Sequence, residues 1–358
     1  MHEAISASSE ITQDELALAG RNHAMPLEAL RHDVTPAGLH YLLIHFDVPY
    51  TDGRDWRVAV GGHVRTPLTL DVHAIKALPS VTQPVVMECA GNGRARLSPR
   101  PLSQPWLEGA VGNAEWTGAP LAVVLEQAGV LDGAVEVVLT GADHGVQGGV
   151  EQDYERSLPI ADAMEPDVLL AYEMNGAPLL PQHGFPIRVI VPGWYGMTMV
   201  KWLKRITVVT EPFRGYQMTE SYMYVPSEDD PGRPVTRMRP RALMVPPGVP
   251  DFMTRRRYVE PGRCTLRGRA WSGRGRIARV EVSTDGGRSW ADAELEPPAG
   301  PHAWTGWSWD WDAREAGDYE LCCRATDASG ATQPLEPDWN VQGMENNGVQ
   351  RVPVSVRA

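Results

Sequence analysis

Five strand-like segments crowd into the last roughly 110 residues, with no helical pattern between them. They are Cys264–Trp271, Ile277–Ser283, Trp304–Trp311, Asp318–Thr326 and Val349–Val356. Val280 and Val282 alternate up to the turn signal Asp285-Gly286-Gly287, and Ser289-Trp290 resume the pattern beyond it. Short strands of this kind cannot bury a face singly. Two sheets packed face to face can, so this region is expected to be a β-sandwich of immunoglobulin type.

The first part reads differently. Residues 38–62 alternate in part (Leu39, Tyr41, Leu43 and His45, then Trp56, Val58 and Val60) and predict strands joined by a turn. Residues 121–128 before Gly129 predict a short helix, and Ile160–Ala163 a second. Residues 135–140, 186–192 and 206–210 predict strands. The expected fold class is therefore α+β: a mixed domain over residues 1–240, then the sandwich over 241–358. Residues 211–250, poor in apolar runs, read as an extended connector. The 35 Gly and 31 Pro favour turns and short strands over long helices.

A net charge of −12 repels phosphate backbones and argues against nucleic-acid binding. Arg255, Arg256, Arg257, Arg263, Arg267 and Arg269 form a basic stretch, but Glu260 and Glu281 flank it, and a solvated face or dimer contact is expected. No run approaches the ~20 apolar residues of a membrane helix. Residues 1–20 show no apolar leader, so a cytoplasmic location is expected; a chain with its leader removed would read the same way. Four cysteines are too few for a disulfide scaffold, and the adjacent Cys322 and Cys323 are expected to be structural thiols on opposite faces of a strand.

Two segments carry chemistry. In Val86-Met87-Glu88-Cys89-Ala90-Gly91-Asn92-Gly93-Arg94 a strand delivers a cysteine into a tight turn with an arginine beyond. Backbone N–H groups and a nearby cation favour a thiolate, although a buried cysteine before a turn has the same letters. The second is Gln182-His183-Gly184-Phe185-Pro186-Ile187-Arg188, continuing to Pro192-Gly193-Trp194-Tyr195-Gly196 and Lys201-Trp202. Its His, Arg and Lys suit a phosphate, or else form a solvated basic edge.

These segments resemble the two signatures of the sulfite oxidase family of molybdenum-cofactor enzymes. Residues 109–118 resemble a third family segment. Ala270-Trp271-Ser272-Gly273, residues 282–287 and Asp338-Trp339-Asn340 resemble its C-terminal dimerisation domain. The resemblance spans about residues 20–358 and implies a sulfite oxidase-type molybdopterin-binding domain followed by the immunoglobulin-like one. Cys89 would ligate molybdenum, with the remaining sulfurs coming from molybdopterin. His183, Arg188 and Lys201 match the pterin and phosphate contacts, and Asp143 and Ser157 lie near further cofactor contacts. His144, beside Asp143, reads as an exposed loop residue. The remaining pterin histidine is taken as His45, because His45-Phe46-Asp47-Val48-Pro49 fits the family frame; His23, in Arg21-Asn22-His23, copies its letters upstream.

The resemblance also implies what is missing. The family's substrate arginine falls on Leu43, and another anion-binding arginine on Gln342. Arg94 remains as the catalytic anion-binding group, with Tyr222 as the catalytic tyrosine. Oxygen-atom transfer with two electrons is implied, with sulfite to sulfate as the default reaction. Another small oxyanion or a sulfoxide stays open, as does a non-catalytic immunoglobulin-like binding protein. No haem-attachment motif is present, so electrons are expected to pass to a separate acceptor, and a homodimer through the C-terminal domain is implied.

Overall fold

The computed structural model describes residues 7–8 and 10–357. The leader reading of residues 1–20 therefore falls in part outside the described residues. Two sheets form the larger core. In the first, Val81–Glu88 pairs with Val111–Pro120, which pairs with Leu169–Met174; Arg188–Ile190 and Ala177–Pro178 add to the last of these. In the second the order is Leu68–Asp71, Arg57–Gly62, Leu203–Val209, Glu136–Gln147 and Val150–Pro159. Its neighbours are antiparallel except Leu203–Val209 beside Arg57–Gly62. Val81–Glu88 is buried continuously from Val85 onward. That explains its unbroken apolar run, because a strand covered on both faces needs no alternation.

Strands dominate, and the α-helices are few and short. The expected helices form at Leu121–Ala128 and Ile160–Ala163. Gly129 ends the first at φ 68°, a conformation that glycine adopts without strain. The strand expected within residues 38–56 does not form; only Leu42 makes an isolated bridge, to His23. Side chains take up this segment's backbone instead. Lys201 Nζ donates to the Leu43 carbonyl at 2.8 Å, and the Ile44 N–H donates to Asn22 Oδ1 at 2.8 Å. Tyr41, Leu42, Leu43 and His45 all line one cleft, whereas successive residues of a strand would point to opposite faces.

The later residues build two sheets over a second core. One runs Arg241–Met244, Gly262–Trp271, Thr305–Ala313, Glu294–Leu295. The other runs Val249–Pro250, Arg257–Val259, Gln350–Val356, Gly317–Asp327, Ile277–Ser283, Ala291–Asp292. Leu266, Val280, Trp307, Cys323 and Val354 fill the space between them. The five expected strands form with only small shifts at their ends. Ser289-Trp290 stay in the turn rather than in a strand, because the Asp285 carboxylate accepts the Arg288 and Ser289 N–H groups and the Ser289 hydroxyl. Cys322 and Cys323 are both buried free thiols. The basic stretch is neutralised by carboxylates: Arg255 and Arg257 on Glu28, Arg256 on Asp318, Arg263 on Asp310 and Arg269 on Asp33. The stretch expected to be a connector holds a short helix, Tyr216–Thr219, and the buried strand Arg241–Met244. Among the described residues no helix is long and apolar enough to cross a membrane.

Candidate active site

Cys89 follows directly on Val81–Glu88, where the chain reverses. The Asn92 N–H donates to the Cys89 carbonyl at 2.9 Å, and the Arg94 N–H to that of Gly91 at 3.0 Å. Gly93 takes φ 87°. A Cβ on Gly91 would lie 2.5 Å from the Arg94 guanidinium, so the close approach of cation and turn needs glycine there. Burial raises the Cys89 thiol, while the Arg94 charge and the Gly91 N–H work against it.

The thiol lines a cleft. Cations mark one part of it. Arg188 donates to the His183 carbonyl at 3.0 Å and the Met199 carbonyl at 3.1 Å, and lies 4.9 Å over the Trp116 ring. Lys201 donates to the Leu43 and Gln182 carbonyls at 2.8 and 3.2 Å. Neither meets a carboxylate within salt-bridge distance among the described residues. Burial, then the Arg188 charge, lowers Lys201 to about 7; burial lowers Arg188 to about 10. Burial pushes Asp143 up to about 6, with Lys201 opposing it. Burial also holds His40 near 4, His45 near 3 and His183 near 2; repulsion from neighbouring cations adds to this. All three imidazoles are thus neutral at pH 7.

Three buried atoms around the cleft lack any hydrogen-bond partner: Arg188 Nε, His40 Nε2 and Asp143 Oδ1. Leaving each one unpaired costs about 1–3 kcal/mol; His40 Nε2 packs against Gly112 and Asp143 Oδ1 against Gly141. Near Cys89 the walls are Tyr41, Tyr222 and the thioethers of Met87 and Met197. Tyr222 sits at φ 54°, its hydroxyl bonded to His45 Nε2, and the His45 ring lies 4.4 Å from that of Tyr154.

The cleft thus gathers His45, Cys89, Asp143, His183, Arg188, Lys201 and Tyr222 from segments far apart in sequence. Arg94 is a departure: it does not line the cleft. Its Nε and Nη1 donate to the Gln342 and Gln104 carbonyls at 3.0 and 3.1 Å, and Nη2 meets Met344 Sδ at 3.4 Å, because the turn at Gly93 carries it behind Cys89. Ser157 is buried but lies outside the lining, and His144 is exposed between Asp153 and Glu151. His23 is exposed and makes a backbone bridge to Leu42. Sequence reasoning missed His40 and Tyr154. His40 lay in the segment read as a strand, and Tyr154 is delivered by the pairing of Val150–Pro159 with Glu136–Gln147.

Among the described residues no group of three His, Cys, Asp or Glu is placed to hold a metal ion. A metal on Cys89 must bring its other ligands with it. The residues fit an elongated cofactor with a soft metal at Cys89 and an anionic tail toward Lys201 and Arg188. Fold and cleft together define a molybdopterin-type oxidoreductase. The comparisons agree: residues 45–217 match the oxidoreductase molybdopterin binding domain, and residues 243–357 the Mo-co oxidoreductase dimerisation domain. The chain belongs to the sulfite oxidase family of molybdenum-cofactor oxidoreductases. NADH nitrate reductase 1 of Oryza sativa subsp. japonica is 35% identical over 361 residues, covering 92% of this chain and 39% of that protein. The NADH nitrate reductase of Solanum lycopersicum is 34% identical over 366 residues, covering 94% and 40%. The chain therefore spans about two fifths of the length of these curated relatives. The crystal structure of the sulfane dehydrogenase SoxCD from Paracoccus pantotrophus matches with a TM-score of 0.80 at 29% identity, covering 94% of this chain and 86% of that one.

Proposed function

We propose that this chain oxidises a small sulfur compound, with sulfite as the reference substrate, by two-electron chemistry at a Cys89-ligated molybdenum–molybdopterin centre. The observation that carries the reading is the cleft itself: one thiol beside thioether walls, and two buried cations that form no salt bridge among the described residues. When bound, the cofactor supplies the redox change and the transfer of an oxygen atom. The chain supplies placement. Lys201 and Arg188 hold the anionic tail, and His183 offers a neutral ring nitrogen to the pterin. Asp143 flanks that part of the cleft. Burial keeps Tyr222 protonated and His45 neutral, so the pair hydrogen-bonds a substrate oxygen without carrying charge of its own. Arg94, behind the turn, acts on the thiolate through its field. Two electrons and two protons leave for each oxygen atom taken from water, and the electrons pass to a separate acceptor.

Likeness to SoxCD over nearly the whole of both chains supports the sulfur substrate. Identity to the nitrate reductases favours a second reading, reduction of a small oxyanion. We also read the two later sheets as an immunoglobulin-like sandwich and the chain as a homodimer through it, in line with the dimerisation-domain match.

The test is metal analysis and a visible spectrum of protein made in a molybdenum-replete host. About one molybdenum per chain is expected, with a thiolate-to-metal band that Cys89→Ser abolishes together with turnover. A metal-free chain would end the proposal. Sulfite oxidation with ferricyanide, run beside dye-driven nitrate and sulfoxide reduction, separates the two substrate readings.

A further inference from the structure

Gln342 lies on a loop of the later part of the chain and does not line the cleft. It is buried, and its amide is used at both ends. Nε2 donates to the Glu220 carbonyl at 2.9 Å, and Oε1 accepts the Met223 N–H at 3.1 Å. A backbone carbonyl only accepts and a backbone N–H only donates, so turning the amide over would lose both bonds. The two anchor points bracket the pair Ser221-Tyr222.

The backbone between them needs a clamp. Tyr222 at φ 54° is in the left-handed region, which costs a residue with a Cβ about 1–3 kcal/mol and persists only where the surroundings enforce it. The enforcement comes from several sides: the Val235 N–H donates to the Tyr222 carbonyl at 2.9 Å, and the Val341 N–H to that of Val225 at 2.9 Å. In that conformation the Tyr222 side chain turns into the cleft and its hydroxyl reaches His45 Nε2. Gln342 also holds Arg94, whose Nε donates to its carbonyl at 3.0 Å. One residue thus fixes both the tyrosine in the cleft and the arginine behind Cys89.

We infer that Gln342 is a positioning residue that sets Tyr222 against His45 for the oxidation step. The inference rests on the reading of Tyr222 as catalytic. A glutamine serves where a longer cation would not, since an arginine has no acceptor for the Met223 N–H.

The test uses the molybdenum-loaded protein with sulfite as probe and compares Gln342→Ala, Gln342→Met, Tyr222→Phe and the double variant Gln342→Ala/Tyr222→Phe. Met keeps the side-chain volume if Ala fails to fold. Loss of Gln342 is expected to lower kcat by roughly 10- to 100-fold with KM little changed, the scale of a small misplacement. Molybdenum content and the thiolate-to-metal band should stay as in the parent. The double variant should be no slower than Tyr222→Phe alone, because the two residues act as one unit. A readout independent of turnover is the His45 ring-nitrogen signal of 15N-histidine-labelled protein, assigned with His45→Asn. Gln342→Ala should move it to its position in Tyr222→Phe. A His45 signal unchanged in Gln342→Ala, or a further loss of rate in the double variant, would overturn the inference. Full activity of Tyr222→Phe would instead overturn the catalytic reading of Tyr222, leaving the nitrogen signal to decide where Gln342 acts. Gln342→Arg should slow turnover as Ala does; a lower sulfite KM without that loss would contradict the clamp.

Discussion

Two buried polar clusters lie on either side of the Glu88–Cys89 bond, and they are built on opposite principles. On the Glu88 side, the carboxylate accepts from Arg241 and Asn92 at 2.9 Å each and from Trp271 Nε1 at 2.8 Å. Arg241 also reaches the Asn346 carbonyl, and Asn346 returns a bond to the Gly93 carbonyl at 2.6 Å. The later part of the chain thereby floors the cysteine turn. On the Cys89 side, Arg188 and Lys201 meet carbonyls, rings and the Met87 thioether but form no salt bridge among the described residues, and Asp143 acts on Lys201 only through its field. The junction pairs charge with charge, and the cleft keeps its two cations out of salt bridges.

That contrast can be broken by removing a charge on each side. Arg241→Met strands the Glu88 carboxylate in a fully buried site, and a loss of about 3–5 kcal/mol in unfolding free energy is expected from denaturant titration. Glu88→Gln/Arg241→Met should recover much of it, since the uncompensated charge is then gone. A single variant as stable as the parent would show the junction to be dispensable.

Lys201→Met should act the other way. No salt bridge is broken, and Asp143, which loses the opposing charge, takes up a proton more readily, so the cofactor-free protein should lose little stability. Cofactor retention should weaken by about 1.5–3 kcal/mol, the value of one charge-assisted contact. Equilibrium dialysis of released pterin measures this; unaltered retention would remove Lys201 from the anion-binding end.

The smallest effect is in pH. His40, His45 and His183 bind protons near 4, 3 and 2 in the fold but near 6.5 in the unfolded chain. Below pH 6.5 the unfolded chain takes up more protons, so stability present above that pH is lost as pH falls toward 4. Between pH 7 and 6 the loss is roughly 0.7 kcal/mol per imidazole. His40→Leu should flatten the dependence of melting temperature on pH in cofactor-free protein. An unchanged slope would mean that His40 titrates normally.

Local pattern was enough for much of the fold. Helices at Leu121–Ala128 and Ile160–Ala163, and strands such as Ile277–Ser283, follow from periodicity and punctuation that neighbouring residues carry by themselves. It failed over residues 38–56, where side chains from elsewhere satisfy the backbone. The same division holds in the site. Cys89, His183, Arg188 and Lys201 stand in two short motifs, and their chemistry was legible as letters.

Long-range packing decided the remainder. His40 and Tyr154 entered the cleft through chain pairing that no local spacing encodes. Arg94 left it because the turn at Gly93 turned its guanidinium toward Gln342 and Gln104. Gln342 gained its place because a loop more than a hundred residues downstream packs around Tyr222. Sequence alone determined which chemical groups this protein owns and which short segments coil or extend, because those depend on bonds and neighbours along the chain. Only the tertiary structure decided which groups face each other across empty space, because burial, charge pairing and left-handed backbone are enforced by residues that meet only after folding.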